Sequence, residues 1–165
     1  VMASLVSFRR AVGPSSGPDI IDPVERISPP FGVGSVVRQV GDMKGKIVIV
    51  DDNQAIVEML QRKLEKEEYE VVSCTESLKA VDVCARAKPD LVILDILMPG
   101  KNGWEIMREL KSKASTENTP VIISTVKNRP EDIEQGKELQ AADYIAKPYV
   151  FSDLLEKIEG ILQAD

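Results

Sequence analysis

From Lys46 onward the chain alternates between short apolar runs and longer stretches whose apolar positions recur at helical spacing. The runs are KIVIV (46–50), EVVSC (70–74), LVILD (91–95), PVIIST (120–125) and DYIA (143–146). Runs this short, rich in Val and Ile and bounded by turn residues, predict strands buried on both faces of a parallel sheet. Between the first two runs, Ile56, Val57, Leu60 and Leu64 predict a helix over about 54–68, with Asn53 as its N-cap. A second helix is predicted over 78–87, ending before Lys88-Pro89, and a third over about 104–113. Pro130 sits near the start of a fourth, which reaches about Leu139. Leu154, Leu155, Ile158, Ile161 and Leu162 mark a fifth at the C-terminal end. Five strand–helix units predict one α/β domain, a doubly wound five-stranded parallel sheet with right-handed crossovers.

Residues 1–45 break the alternation. They hold Pro14, Pro18, Pro23, Pro29 and Pro30, half of the 10 prolines in the chain, and six of its 10 glycines. Breakers at that density predict a tail or linker, mostly disordered, and not a packed core. Two stretches stand out within it. SLVSFRRAV is too short and badly flanked for a secretion signal, and VGSVV (33–37) is a candidate for docking on the domain or a partner. The chain begins on Val1 with Met2 behind it, so its natural start is expected to lie elsewhere.

Composition narrows the function classes. A net charge of −6 argues against nucleic acid as the direct partner, which requires a basic surface. At 43% hydrophobic and 29% charged, with no long apolar run, the chain is not expected to enter a membrane. Its two cysteines, Cys74 and Cys84, form neither a metal-ligand pair nor a disulfide framework, and are expected to be buried free thiols in a reducing cytoplasm. With no histidine in the chain, a Ser-His-Asp triad, a Cys-His pair and a histidine-ligated metal are excluded.

The chemistry lies where the strands stop. In doubly wound sheets, ligands collect outside the carboxyl ends of the strands. Asp51 and Asp52 end the first run, Asp95 the third and Thr125 the fourth, while Lys147 follows the fifth. Two carboxylates 4 Å apart repel by roughly 4 kcal/mol at an effective dielectric of 20. Three of them at one edge therefore call for a cation, and without His or paired Cys ligands a hard ion such as Mg2+ fits. Such an ion would stabilise a transferring phosphoryl group, and Thr125 and Lys147 could each hold one of its oxygens. Asp95, alone on its strand, is the candidate nucleophile, giving an aspartyl phosphate.

The acidic pair in VDDN, the aspartate in LDILMPGKNG, the threonine closing PVIIST and the lysine in DYIAKPY resemble the receiver domains of two-component response regulators. Thirty residues separate Asp95 from Thr125 and fifty-two separate it from Lys147, which also fits that family. The resemblance covers about 46–165 and implies the (βα)5 flavodoxin-like receiver fold. It further implies that Asp95 is the phosphoacceptor for a histidine kinase or phosphotransfer protein. Asp51, Asp52, Asp95 and the backbone carbonyl of Leu97 would hold Mg2+. Thr125 and Tyr144 would be the switch residues, the Lys147–Pro148 bond would be cis, and the output face would be the fourth helix, fifth strand and fifth helix. No enzyme in its own right is implied, only Mg2+-dependent self-phosphorylation and autodephosphorylation. Homodimerisation through the output face is a family habit. Three positions depart from the family's commonest pattern: Val126 is bulkier than the usual residue after the threonine, Leu97 is apolar, and Gln140 stands where a glycine often ends the fourth helix. The first two imply a long-lived phosphoryl state.

Taken singly, each element has a plainer explanation. Asp51-Asp52 is also what a helix N-terminus looks like, Thr125 an ordinary strand end, Lys147 a solvated turn and Tyr144 a core residue. All four explanations would have to coincide at the family's spacing and strand order. The expectation is therefore a phosphorylatable module that signals to a downstream protein partner or along a relay. The alternative of a receiver segment from a hybrid kinase makes 1–45 the linker. A haloacid dehalogenase-type phosphatase needs a second acid two residues after the nucleophile, where this chain has Leu97.

Overall fold

The computed structural model describes residues 43–127 and 129–164. The tail expected over 1–45 and the docking of 33–37 lie outside the described residues, save for Met43, Lys44 and Gly45.

Five strands form one parallel sheet: β1 (Gly45–Val50), β2 (Tyr69–Cys74), β3 (Leu91–Leu94), β4 (Val121–Thr125) and β5 (Asp143–Ala146), in the order β2-β1-β3-β4-β5. The helices α1 (Gln54–Lys66), α2 (Ala80–Ala87), α3 (Gly103–Ser112), α4 (Pro130–Glu138) and α5 (Phe151–Leu162) connect and cover them. Period-two alternation splits the strand residues between two cores. Val48, Val50, Val92 and Leu94 face α2 and α3 through Val81, Cys84, Ile106 and Leu110. Ile47, Ile49, Leu91 and Ile93 face α1 and α5 through Val57, Leu60, Leu64, Leu154 and Ile158. Burial on both faces is why these runs are apolar without a polar alternate.

The central pair sets the site. β1 lies between β2 and β3, with Val50 opposite Leu94 and Cys74, so the residues after each leave the sheet side by side. The Asp95 amide donates to the Val50 carbonyl at 2.8 Å, and the Asp51 amide to the Cys74 carbonyl at 3.2 Å.

Local structure departs from the expected bounds in a few places. β1 begins at Gly45, one residue before the expected 46. α1 stops at Lys66 because Glu68 takes a φ of 69° and turns the chain into β2. The stretch Ser77–Lys79 is a 3-10 turn that leads into α2. At Gln140 no glycine is needed: the residue adopts a φ of 59°, at a cost of roughly 1–2 kcal/mol for a residue with a Cβ. Both cysteines are free and buried. Among the described residues no helix is long and apolar enough to cross a membrane.

Candidate functional site

Asp51 and Asp52 directly follow β1, and Asp95 directly follows β3. One carboxylate oxygen from each lies within 4.8 Å of the others. Asp51 and Asp95 are buried while Asp52 is open to solvent. Lys147, after β5, reaches back across the edge: its Nζ donates to Asp51 Oδ2 at 2.5 Å and to Asp95 Oδ2 at 2.8 Å. The other oxygen of each buried carboxylate accepts a backbone amide, Asn53 N to Asp51 Oδ1 at 2.9 Å and Leu97 N to Asp95 Oδ1 at 3.0 Å. Burial alone works to lower the Lys147 ammonium. Its bonds to the two aspartates and their charge outweigh that, and the group sits above its ordinary value. Three hard oxygen donors with one face toward water suit a hard divalent cation that keeps part of its hydration.

Two helix starts frame this edge. Asn53 caps α1, its side chain accepting from the amides of Ala55 and Ile56. Asn102 caps α3 in a reciprocal pair with Glu105. Immediately after it, Gly103 packs against the loop that follows β3: a Cβ there would stand 2.4 Å from the Asp95 carbonyl oxygen and 2.6 Å from the Ile96 Cα. Only hydrogen fits.

Thr125 ends β4 fully buried, and its Oγ1 accepts from the Lys127 amide at 3.4 Å. Tyr144, on β5, is half-buried and donates its hydroxyl to the Lys127 carbonyl. Burial, reinforced by the charges of Asp132 and Asp95, pushes that phenol up to about 12. The Lys147–Pro148 peptide is cis. Leu97 and Val126 are both exposed at this edge, at 45% and 58%.

The structure thus brings together Asp51, Asp52, Asp95 and Lys147, and places Thr125 and Tyr144 around the single loop residue Lys127. It also reveals partners that hydrophobic periodicity does not single out. Ser77, 5% exposed, donates to the Pro99 carbonyl at 2.5 Å and accepts from the Lys101 amide at 3.0 Å, tying the loop before α2 to the loop after β3. Ser124 Oγ donates to Tyr149 Oη at 3.0 Å. Gly103 falls within LDILMPGKNG, and its place right after a helix-capping asparagine is the one local sign of its role.

Over residues 47–159 the sequence matches the family described as response regulator receiver domain. The chain belongs to that family. Chemotaxis protein CheY4 of Vibrio cholerae is 27% identical with a TM-score of 0.68, over 73% of this chain and 99% of that one. The BeF3-activated N-terminal receiver domain of RstA from Klebsiella pneumoniae is 32% identical with a TM-score of 0.67, over 72% and 98%. The response regulator DrrB of Thermotoga maritima is 28% identical with a TM-score of 0.64, over 72% of this chain and 52% of that one. The receiver fold, with its strand order and flanking helices, is therefore that of a two-component signalling module.

Proposed function

We propose that this receiver domain accepts a phosphoryl group on Asp95 from a phosphohistidine of a kinase or phosphotransfer protein, with Mg2+ at the acidic cluster. The observation that carries the reading is the Lys147 ammonium shared between Asp51 and Asp95, beside a third carboxylate open to water. In the transfer an Asp95 carboxylate oxygen forms a bond to phosphorus, the donor's P–N bond breaks, and the imidazole leaves as the neutral ring after taking a proton. Asp51, Asp52, Asp95 and the Leu97 carbonyl are the proposed cation ligands. The bound ion would supply positive charge against the phosphoryl oxygens. Lys147 gives Asp95 up to a phosphoryl oxygen while keeping Asp51. Thr125 donates its hydroxyl to a second phosphoryl oxygen, and its movement breaks the contact with the Lys127 amide. Because Tyr144 holds the carbonyl of that same residue, displacement of the loop reaches the α4–β5 surface and a downstream protein partner. This is a two-state element biased by a new covalent charge. A phosphatase reading finds no support in Leu97, which offers an apolar, half-exposed side chain where a second acid would stand.

Incubation with acetyl phosphate, with and without Mg2+, followed by intact-mass measurement tests the proposal. The expected result is a Mg2+-dependent gain of one phosphoryl group, absent in Asp95→Asn. A folded wild-type chain that takes up none from acetyl phosphate or from a phosphorylated phosphotransfer protein would defeat it.

A further inference from the structure

Lys147 carries much of the site, and it stands at the last backbone rung before the chain leaves the sheet. Its own amide donates to the Thr125 carbonyl at 2.8 Å, the last rung between β4 and the chain leaving β5. The next residue, Pro148, has no N–H and cannot extend the ladder. Attachment to β4 resumes one residue later through side chains, where Ser124 Oγ meets Tyr149 Oη at 3.0 Å. Ser124 is 2% exposed, and the Tyr149 ring packs beside the α1–α5 core. A phenylalanine would pack the ring as well, so packing does not explain the hydroxyl. What the hydroxyl adds is direction, because a partly buried hydroxyl pair is held in the arrangement that keeps its hydrogen bond. Two anchors on neighbouring β4 residues, Thr125 and Ser124, thus bracket Lys147 on the β5 side.

We propose that Tyr149 is a positioning residue for Lys147, acting through its hydroxyl pair with buried Ser124. The pair fixes where the Lys147–Pro148–Tyr149 segment lies against β4, and so how the ammonium meets Asp95. The proposal rests on the phosphoacceptor reading given above. It adds that the reaction depends on two hydroxyls that touch neither the aspartates nor the phosphoryl group.

The test compares wild type, Tyr149→Phe, Ser124→Ala and the double variant, all as the full chain. Initial phosphorylation rates with acetyl phosphate are read by intact mass, Mg2+ affinity by calorimetry with magnesium chloride, and folding by thermal unfolding. Losing one aligning hydrogen bond is expected to slow phosphorylation by about three- to tenfold in each single variant. The double variant should be no slower than the slower single, because the two hydroxyls act as one unit. Mg2+ affinity should stay within about twofold of wild type, since the three carboxylates are untouched. General damage to the site would instead weaken metal binding and rate together, and that outcome overturns the proposal. So does a normal rate in either single variant, or independent losses that multiply in the double. If wild type itself takes up no phosphoryl group, the phosphoacceptor reading falls and this one with it, a result distinct from an active wild type with unaffected variants.

Discussion

At the scale of single residues, the side chains of Thr125 and Tyr144 meet at Lys127. Tyr144 has a phenol raised to about 12 by burial and by the charges of Asp132 and Asp95. A phenol raised above its unfolded value of 10.0 binds its proton more tightly in the folded state. Its contribution is therefore complete below pH 10 and declines as pH climbs from 10 toward about 12. Urea midpoints measured across that window should fall more steeply for wild type than for Tyr144→Phe, and parallel curves would show that the phenol is not so held. Val126 and Leu97 bear on a different quantity. Both are apolar and exposed at the acidic edge, and on the function proposed above they would restrict how water approaches the phosphoryl group. Once formed, the Asp95 phosphoryl group should last minutes or longer, and replacing Val126 by alanine or Leu97 by asparagine should shorten its half-life by about threefold or more. Loss of label from wild type within seconds would refute that.

At the scale of elements, α3 and α5 offer opposite tests of glycine. A Cβ at Gly103 would run into the backbone of Asp95 and Ile96, which cannot step aside as a flexible side chain can. Gly103→Ala should cost about 1–3 kcal/mol in urea unfolding and depress phosphorylation as well, because Asp95 is what the helix would push against. On α5, Gly160 is exposed with nothing within 4 Å of an added Cβ. Gly160→Ala should therefore stabilise by about 0.5–1 kcal/mol, through helix propensity alone. These elements differ in how plainly the sequence announces them. Strand runs that end in aspartate, and helices whose apolar residues fall on one stripe, follow from local rules, so the five units and the carboxylates were legible in the chain. The 3-10 turn at Ser77, the seating of Gly103 and the pairing of Ser124 with Tyr149 depend on contacts between residues 22 or more apart, or on backbone packing with no periodic signature. Gln140 shows the same limit, since its positive φ is imposed by the turn into β5 and not by its own preference.

For the whole molecule, stability and ligation are linked through the acidic edge. Two buried carboxylates already share one ammonium, and the third adds charge that a divalent cation would offset. Mg2+ should raise the unfolding free energy by about 1.4 kcal/mol at ten times its dissociation constant. Chelation should reverse the gain, and Asp52→Asn should abolish most of it. An unchanged thermal midpoint at high Mg2+ would mean that the cluster does not take up the ion. Within the fold, α4 is the helix best suited to move. Gly136 is its only buried residue, whereas α3 buries five. Its N-terminal end adjoins the Lys127 loop, where Asp132 stands 3.8 Å from the Lys127 ammonium.

The assembly of the site from β1, β3 and β5 also has a meaning in time. Asp51 and Lys147 are 96 positions apart, and Asp95 lies 52 before the lysine. During synthesis the Lys147 ammonium can reach the two buried carboxylates only after the fifth strand has been made. A chain caught before that point carries Asp95 but not the ammonium that pairs with it. On the proposed function, competence to accept a phosphoryl group would therefore be acquired last.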